Sequence, residues 1–159
     1  MFWSAIRYGV KGDLIIMPGD PTAKNEGVTA QVYRDMLEEE LPTLMNPDTI
    51  FMHDNAPIHT ARKVKGYLQE MAFQVLNWPP YSPDLNPIEN MWKLLKKGIH
   101  EKYPKLATLS SSNESLQKLV DAAMEGWEEI GVEMGNRLVD SMPRRVEAVL
   151  AARGWYTKY

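Results

Sequence analysis

Phe51-Met52-His53-Asp54-Asn55-Ala56-Pro57-Ile58-His59-Thr60-Ala61 is an apolar run that stops at a carboxylate. The compact apolar residues of 49–53 predict a short strand ending at Asp54, followed by a Pro-containing turn. A helix is then predicted over 60–71, with Ala61, Val64, Leu68 and Met71 on one side. Ligands and catalysis in α/β sheets gather at the C-terminal ends of strands, which makes Asp54 a candidate functional acid. The competing reading is structural, because Asp and Asn at a strand end make turns through hydrogen bonds to nearby backbone.

Working outward, the pattern stays that of an α/β layered domain. Upstream, Val32, Met36, Leu37, Leu41 and Leu44 recur at helical spacing over 29–44, with Glu38, Glu39 and Glu40 on the outer face. Before that helix, residues 2–8 and 14–17 are β-prone runs that read as a hairpin, and Pro18-Gly19-Asp20-Pro21 reads as a loop. Downstream, 73–76 predicts a short strand, and 78–87 holds four prolines in ten residues and is irregular. A helix over 88–100 buries Ile88, Trp92, Leu95 and Ile99. After a polar linker at 110–113, Leu116, Leu119, Val120, Ala123, Trp127 and Ile130 mark a further helix, and a last one over 144–153 stops at Gly154.

A second acid stands in Pro83-Asp84-Leu85-Asn86-Pro87-Ile88-Glu89-Asn90-Met91-Trp92. Asn86 has the chemistry of a helix N-cap, Pro87 suits the first helical position, and Glu89 falls three residues after the cap. That spacing is a capping box, in which the Glu89 carboxylate reaches back to the Asn86 N–H. The functional alternative has Glu89 facing a neighbouring strand end. Two-metal phosphoryl transfer needs carboxylates from different elements, because hard divalent cations prefer carboxylate oxygens and two ions roughly 3.5–4 Å apart must be surrounded. Asp54 closing a strand and Glu89 opening a helix, with 34 residues between them, meet that need in part. A third acid normally completes such a site.

These segments resemble the second and third acid motifs of mariner-superfamily DNA transposases. In that family an Asp is followed by Asn or Gly and then Ala-Pro-x-His, as in Asp54-Asn55-Ala56-Pro57-Ile58-His59. The family's Trp-Pro-x-x-Ser-Pro-Asp-Leu-Asn-Pro-Ile-Glu is matched from Trp78 to Glu89, and the ending from Ser141-Met142-Pro143-Arg144-Arg145 to Gly154-Trp155 resembles fungal members. The resemblance implies a ribonuclease H-like fold, a mixed sheet flanked by helices. It also implies Asp54 and Glu89 as catalytic, metal-holding acids, Asn55 and His59 as supports of the acid loop, and Mg²⁺ or Mn²⁺ as cofactor. On this reading residues 1–109 form the catalytic core and 110–159 a helical extension of the same domain. The implied partner is DNA, both transposon ends and target, in a nuclear location, with metal-dependent strand cleavage and transfer as the reaction.

The resemblance also implies that the family's first catalytic Asp, its central first strand and its helix-turn-helix region would precede Met1. Asp13 and Asp20 sit in turn and loop sequence, ordinary homes for Asp. The 159-residue chain is therefore expected to hold two of three acids, to be catalytically silent alone, and to leave sheet edges open to self-association.

Composition agrees with a soluble domain: 44% hydrophobic and 25% charged residues, no apolar run long enough to span a bilayer, no secretory signal pattern at the start and no cysteine. Thiolate metal sites and disulfides are excluded, and neither a membrane nor a small-molecule substrate is implied. The net charge of −3 lacks the basic excess of a stand-alone DNA-binding module. Positive charge is local, at Lys93, Lys96, Lys97, Lys102 and Lys105, where Lys93, Lys96 and Lys97 are candidate phosphate contacts and a solvated helix face is the plain alternative. Two rival functions remain: an inactive transposon-derived remnant or recruited binding module, and a zinc hydrolase built on His53, Asp54 and His59.

Overall fold

The hairpin at the start of the chain closes through a two-residue turn at Tyr8-Gly9, where Gly9 adopts φ 77°, a left-handed conformation that favours glycine. In the computed structural model, which describes every residue except Tyr81, Ser111 and Tyr156, four two-residue strands make up this region. Strand β1 (Phe2–Trp3) pairs antiparallel with β4 (Ile15–Ile16), Phe2 opposite Ile16. Strand β2 (Ile6–Arg7) pairs with β3 (Val10–Lys11), Arg7 opposite Val10. Six α-helices follow among the described residues: α1 (Ala30–Leu44), α2 (Arg62–Glu70), α3 (Ile88–Lys102), α4 (Asn113–Glu129), α5 (Val132–Asp140) and α6 (Met142–Ala151). The backbone contacts gather the chain into two units, residues 1–3 with 15–82, and residues 4–14 with 83–159.

In the first unit, α1 begins where the Thr29 side chain accepts from the Val32 N–H, and the helix packs on α2. Tyr33, Leu37 and Leu41 of α1 and Val64, Tyr67 and Leu68 of α2 are buried with Met17 and Phe51 in one core. Each such aliphatic side chain contributes about 1.5–3 kcal/mol by leaving water. The Tyr67 hydroxyl stays satisfied by donating to the Leu37 carbonyl at 3.3 Å.

The expected strands at 49–53 and 73–76 reduce to a single parallel bridge, Phe51 beside Val75. Two hydrogen bonds of 2.8 Å make it, Phe51 N–H to the Gln74 carbonyl and Leu76 N–H to the Phe51 carbonyl. A strand needs a ladder over successive residues, and here only one residue of each run is paired. Instead of an extended mixed sheet, the described residues hold two small antiparallel pairs and this bridge. Met71, expected on the buried side of α2, is 49% exposed, and Tyr67 takes that face.

In the second unit, α3 packs on α4 and α5, and α5 on the β2–β3 hairpin. A Cβ at Gly126 would stand 3.0 Å from Leu95 Cδ1, so glycine lets α4 come close to α3. Trp127 is fully buried; its indole N–H donates to the Gly12 carbonyl at 2.9 Å, and its ring stacks on Trp92 with centroids 5.2 Å apart. Ser112 caps α4 by accepting from the Ser115 N–H at 3.1 Å, so the helix starts within the expected linker, of which Ser111 lies outside the described residues. Leu116 and Leu119 are exposed, and the buried stripe is Ala122 with the expected Ala123 and Trp127. Helix α5 has no counterpart in the periodicity reading. Among the described residues no helix is long and apolar enough to cross a membrane.

Candidate functional site

The Asp54 loop belongs to the first unit. Past the Phe51 bridge, the backbone turns through Ala56 to Thr60, with the His59 and Thr60 N–H groups both donating to the Ala56 carbonyl. Asp54 Oδ1 takes two bonds, from the Ala56 N–H at 3.0 Å and from His59 Nδ1 at 2.6 Å. The turn-forming role is therefore real, yet it uses one oxygen only. The Asp54 side chain is 56% exposed and, among the described residues, Oδ2 receives no hydrogen bond. The Asn55 side chain turns to another partner: its Nδ2 donates to the Trp78 carbonyl at 2.8 Å and ties the loop to the start of the Pro-rich segment.

Behind His59 stands a stack of rings. His53 lies parallel to it, centroids 5.2 Å apart and planes within 6°, and Tyr33 lies 4.2 Å away on α1. The Tyr33 hydroxyl meets His53 Nδ1 at 3.2 Å. Burial raises the Tyr33 pKa, so the hydroxyl keeps its proton beside His53. Burial first, then the neighbouring His59, lowers the His53 pKa from 6.5 to about 4. His53 is thus neutral in the fold, while an unfolded chain takes up a proton below about 6.5. The unfolded state binds more protons between these values, so His53 favours folding above pH 6.5 and that contribution is lost as pH falls toward 4. The loss is expected to reach up to about 3 kcal/mol in urea unfolding, and His53→Phe should remove this part of the pH slope. A slope unaltered by the substitution would contradict the assignment. His53, Asp54 and His59 do not make a metal-holding group: among the described residues no set of three His, Cys, Asp or Glu does. The zinc reading thereby loses its geometric basis.

Glu89 belongs to the second unit. The Asn86 side chain accepts from the Ile88 N–H at 3.3 Å, and α3 starts after Pro87 with the Glu89 N–H donating to the Asn86 carbonyl at 3.2 Å. The capping box does not form: the Asn86 N–H donates to the Pro83 carbonyl rather than to Glu89, and the Glu89 carboxylate bonds no described residue. Asp84, in the short 3-10 turn Pro83–Leu85, is not free, since its Oδ2 accepts from Thr157 at 3.0 Å. Nor is Asp20, whose oxygens accept from Thr22 and Thr29; these bonds hold its pKa below the usual carboxylate value.

Lys93, Lys96 and Lys97 are exposed and spaced to share one face of α3. Lys97 stands 3.8 Å from Glu101, whereas Lys93 and Lys96 have no carboxylate at ion-pair distance among the described residues. Lys102 leaves the basic group, because Glu125 and Glu129 hold it at 2.6 and 2.7 Å and raise its pKa. One polar residue that periodicity did not single out is Arg145, only 1% exposed, whose guanidinium bonds Ser141, the Asp84 carbonyl and Asn90.

One loop thus presents an aspartate oxygen after a bridge, and another presents, at a helix start, a glutamate carboxylate with no hydrogen-bond partner among the described residues. The sequence matches the DDE superfamily endonuclease family over residues 19–110, more than half its length, and the chain belongs to that family. It is 31% identical over 145 residues to the Transposable element Tcb2 transposase of Caenorhabditis briggsae, covering 88% of this chain and 50% of the relative. The Transposable element Tc1 transposase of Caenorhabditis elegans is 36% identical over 110 residues, 69% of this chain and 37% of the relative. The chain thus spans half or less of the length of these relatives. The crystal structure of the Mos1 mariner paired end complex with Mn superposes with a TM-score of 0.64 at 30% identity, covering 82% of this chain and 38% of that one. The fold is the ribonuclease H-like α/β fold of the Mos1 catalytic domain.

Proposed function

We propose that this chain supplies two cation-holding carboxylates, Asp54 and Glu89, to the strand-cleavage and strand-transfer centre of a cut-and-paste DNA transposase. The observation that carries the reading is the state of the two acids: each lies within the family match over 19–110, and each keeps carboxylate oxygen without a hydrogen-bond partner among the described residues. Such hard oxygen donors suit Mg²⁺ or Mn²⁺, which take one or two carboxylates and complete their shells with water and substrate phosphate. A relative of known structure was solved with Mn. When bound, the cations activate the attacking oxygen and stabilise the leaving one. His59 holds Asp54 through Oδ1 and so aims Oδ2 outward, and Asn55 fixes the same loop to Trp78. Residues 1–109 carry this centre on our reading, and 110–159 brace α3 through α4 and α5.

No three carboxylates cluster among the described residues. The 159-residue chain, incubated with Mn²⁺ and labelled transposon-end DNA, is therefore expected to cut nothing. Reproducible cleavage that Glu89→Gln abolishes would overturn that two-acid limit. DNA, as transposon end and target, is the partner we propose, acting in the nucleus, with Lys93, Lys96 and Lys97 on its phosphates and with self-association of the chain. Removing Lys96 and Lys97 together should lower the slope of log affinity against log salt by about two units. An unchanged slope would reduce that face of α3 to a solvated surface.

A further inference from the structure

The ending 141–159 is the one motif that the proposed reaction leaves without a task, and its buried arginine points back at the acid loop. Arg145 lies in α6, and three of its nitrogens have separate acceptors. Nε donates to Ser141 Oγ at 2.8 Å, Nη1 to the Asp84 carbonyl at 2.7 Å, and Nη2 to Asn90 Oδ1 at 2.8 Å. The Tyr159 ring covers the guanidinium at 4.8 Å, and Thr157 donates to Asp84 Oδ2 at 3.0 Å. No carboxylate stands at ion-pair distance from Arg145 among the described residues; its nitrogens meet a carbonyl, an amide and a hydroxyl, a ring covers it, and the Asp84 carboxylate acts on it electrostatically from farther off. Burying a cation costs several kcal/mol unless its donors are satisfied. For simple packing an apolar side chain would serve α6 better.

The two distant acceptors bracket one residue of the proposed site. Asp84 precedes Glu89 in the Pro-rich loop and Asn90 follows it in the first turn of α3. We propose that Arg145 is a positioning residue: its planar fork, closed by Tyr159 and Thr157, locks the loop and first turn that present Glu89. The inference rests on the reading of Glu89 as a cation ligand. Lysine keeps the charge but cannot reproduce a rigid three-way fork.

The test compares the full chain with Arg145→Lys, each confirmed as folded by its thermal unfolding transition. Two measurements are read: amide hydrogen exchange at Glu89 and Asn90, whose N–H groups bond the loop carbonyls of Asn86 and Pro87, and Mn²⁺ affinity. Arg145→Lys should speed exchange at these two amides on the order of tenfold while leaving Tyr103, at the far end of α3, unchanged. It should weaken Mn²⁺ binding on the order of tenfold. Unchanged exchange and affinity in a folded Arg145→Lys chain would overturn the proposal, as would loosening spread evenly along α3. If Arg145→Lys does not fold, Asn90→Ala removes one acceptor alone and is judged by the same outcomes. Glu89→Gln run in parallel separates the two ideas. Loss of Mn²⁺ affinity in Glu89→Gln but not in the Arg145 variant refutes positioning. No loss in Glu89→Gln refutes the metal reading, and the exchange rates then decide the clamp alone.

Discussion

Replacing Glu89 with Gln is expected to weaken Mn²⁺ binding by on the order of tenfold or more while stability stays within about 0.5 kcal/mol. The two halves of this result have one cause. The carboxylate makes no hydrogen bond to the described residues and caps nothing, so the fold loses little when its charge goes. A glutamate serving the capping box would behave in the opposite way: its loss would cost stability of the order of 1 kcal/mol and leave cation binding alone. Calorimetric or paramagnetic Mn²⁺ titration beside urea unfolding distinguishes these outcomes on one pair of proteins.

The largest loss of stability is expected at Trp127. Its side chain is fully buried, stacks on Trp92, lies 5.2 Å beneath Lys11 Nζ and donates to the Gly12 carbonyl. Trp127→Ala removes all four contributions and leaves a cavity between α4 and its neighbours, costing about 3–5 kcal/mol. The Gly12 carbonyl keeps the Ser4 hydroxyl at 3.1 Å, so it is not orphaned and adds no further penalty. Domains of ordinary stability hold about 5–15 kcal/mol in total, so the variant should lie near its unfolding midpoint in low urea. A loss below about 1 kcal/mol would mean that Trp127 is not the centre of the second unit's core.

How much of this was legible beforehand depends on the range of the interactions involved. The extents of helices α1 and α3 are legible because their end signals are local, with Thr29 and the Asn86-Pro87 step marking their starts within a residue or two. The α3 stripe is less so, since Met91 and Leu95 are its buried residues while Ile88, Trp92 and Ile99 stay half-buried. The two acid loops were readable from their motifs, and the Asp54 turn formed as its Asp-Asn chemistry predicted. The expected strand at 49–53 shrinks to one bridge at Phe51, since an apolar run states burial but not whether neighbours supply a ladder. Of the stripe expected on α4, Ala123 and Trp127 are buried, while Leu116 and Leu119 in its first two turns are exposed. Arg145 was beyond local reading altogether: its acceptors lie 61 and 55 residues away, and an arginine in an amphipathic helix ordinarily faces water. The stacked rings of Tyr33, His53 and His59 likewise depend on α1 meeting the acid loop, a contact that spans 20 residues from Tyr33 to His53.

The central claim is that Asp54 and Glu89 hold the same cations, and a double-mutant cycle on Mn²⁺ affinity tests it most directly. Asp54→Asn and Glu89→Gln should each weaken binding on the order of tenfold, and the double variant should be little worse than either one, because a site that has lost one acid has little left to lose. Losses that multiply independently, or a single substitution that changes nothing, would show two unrelated carboxylates and contradict the account.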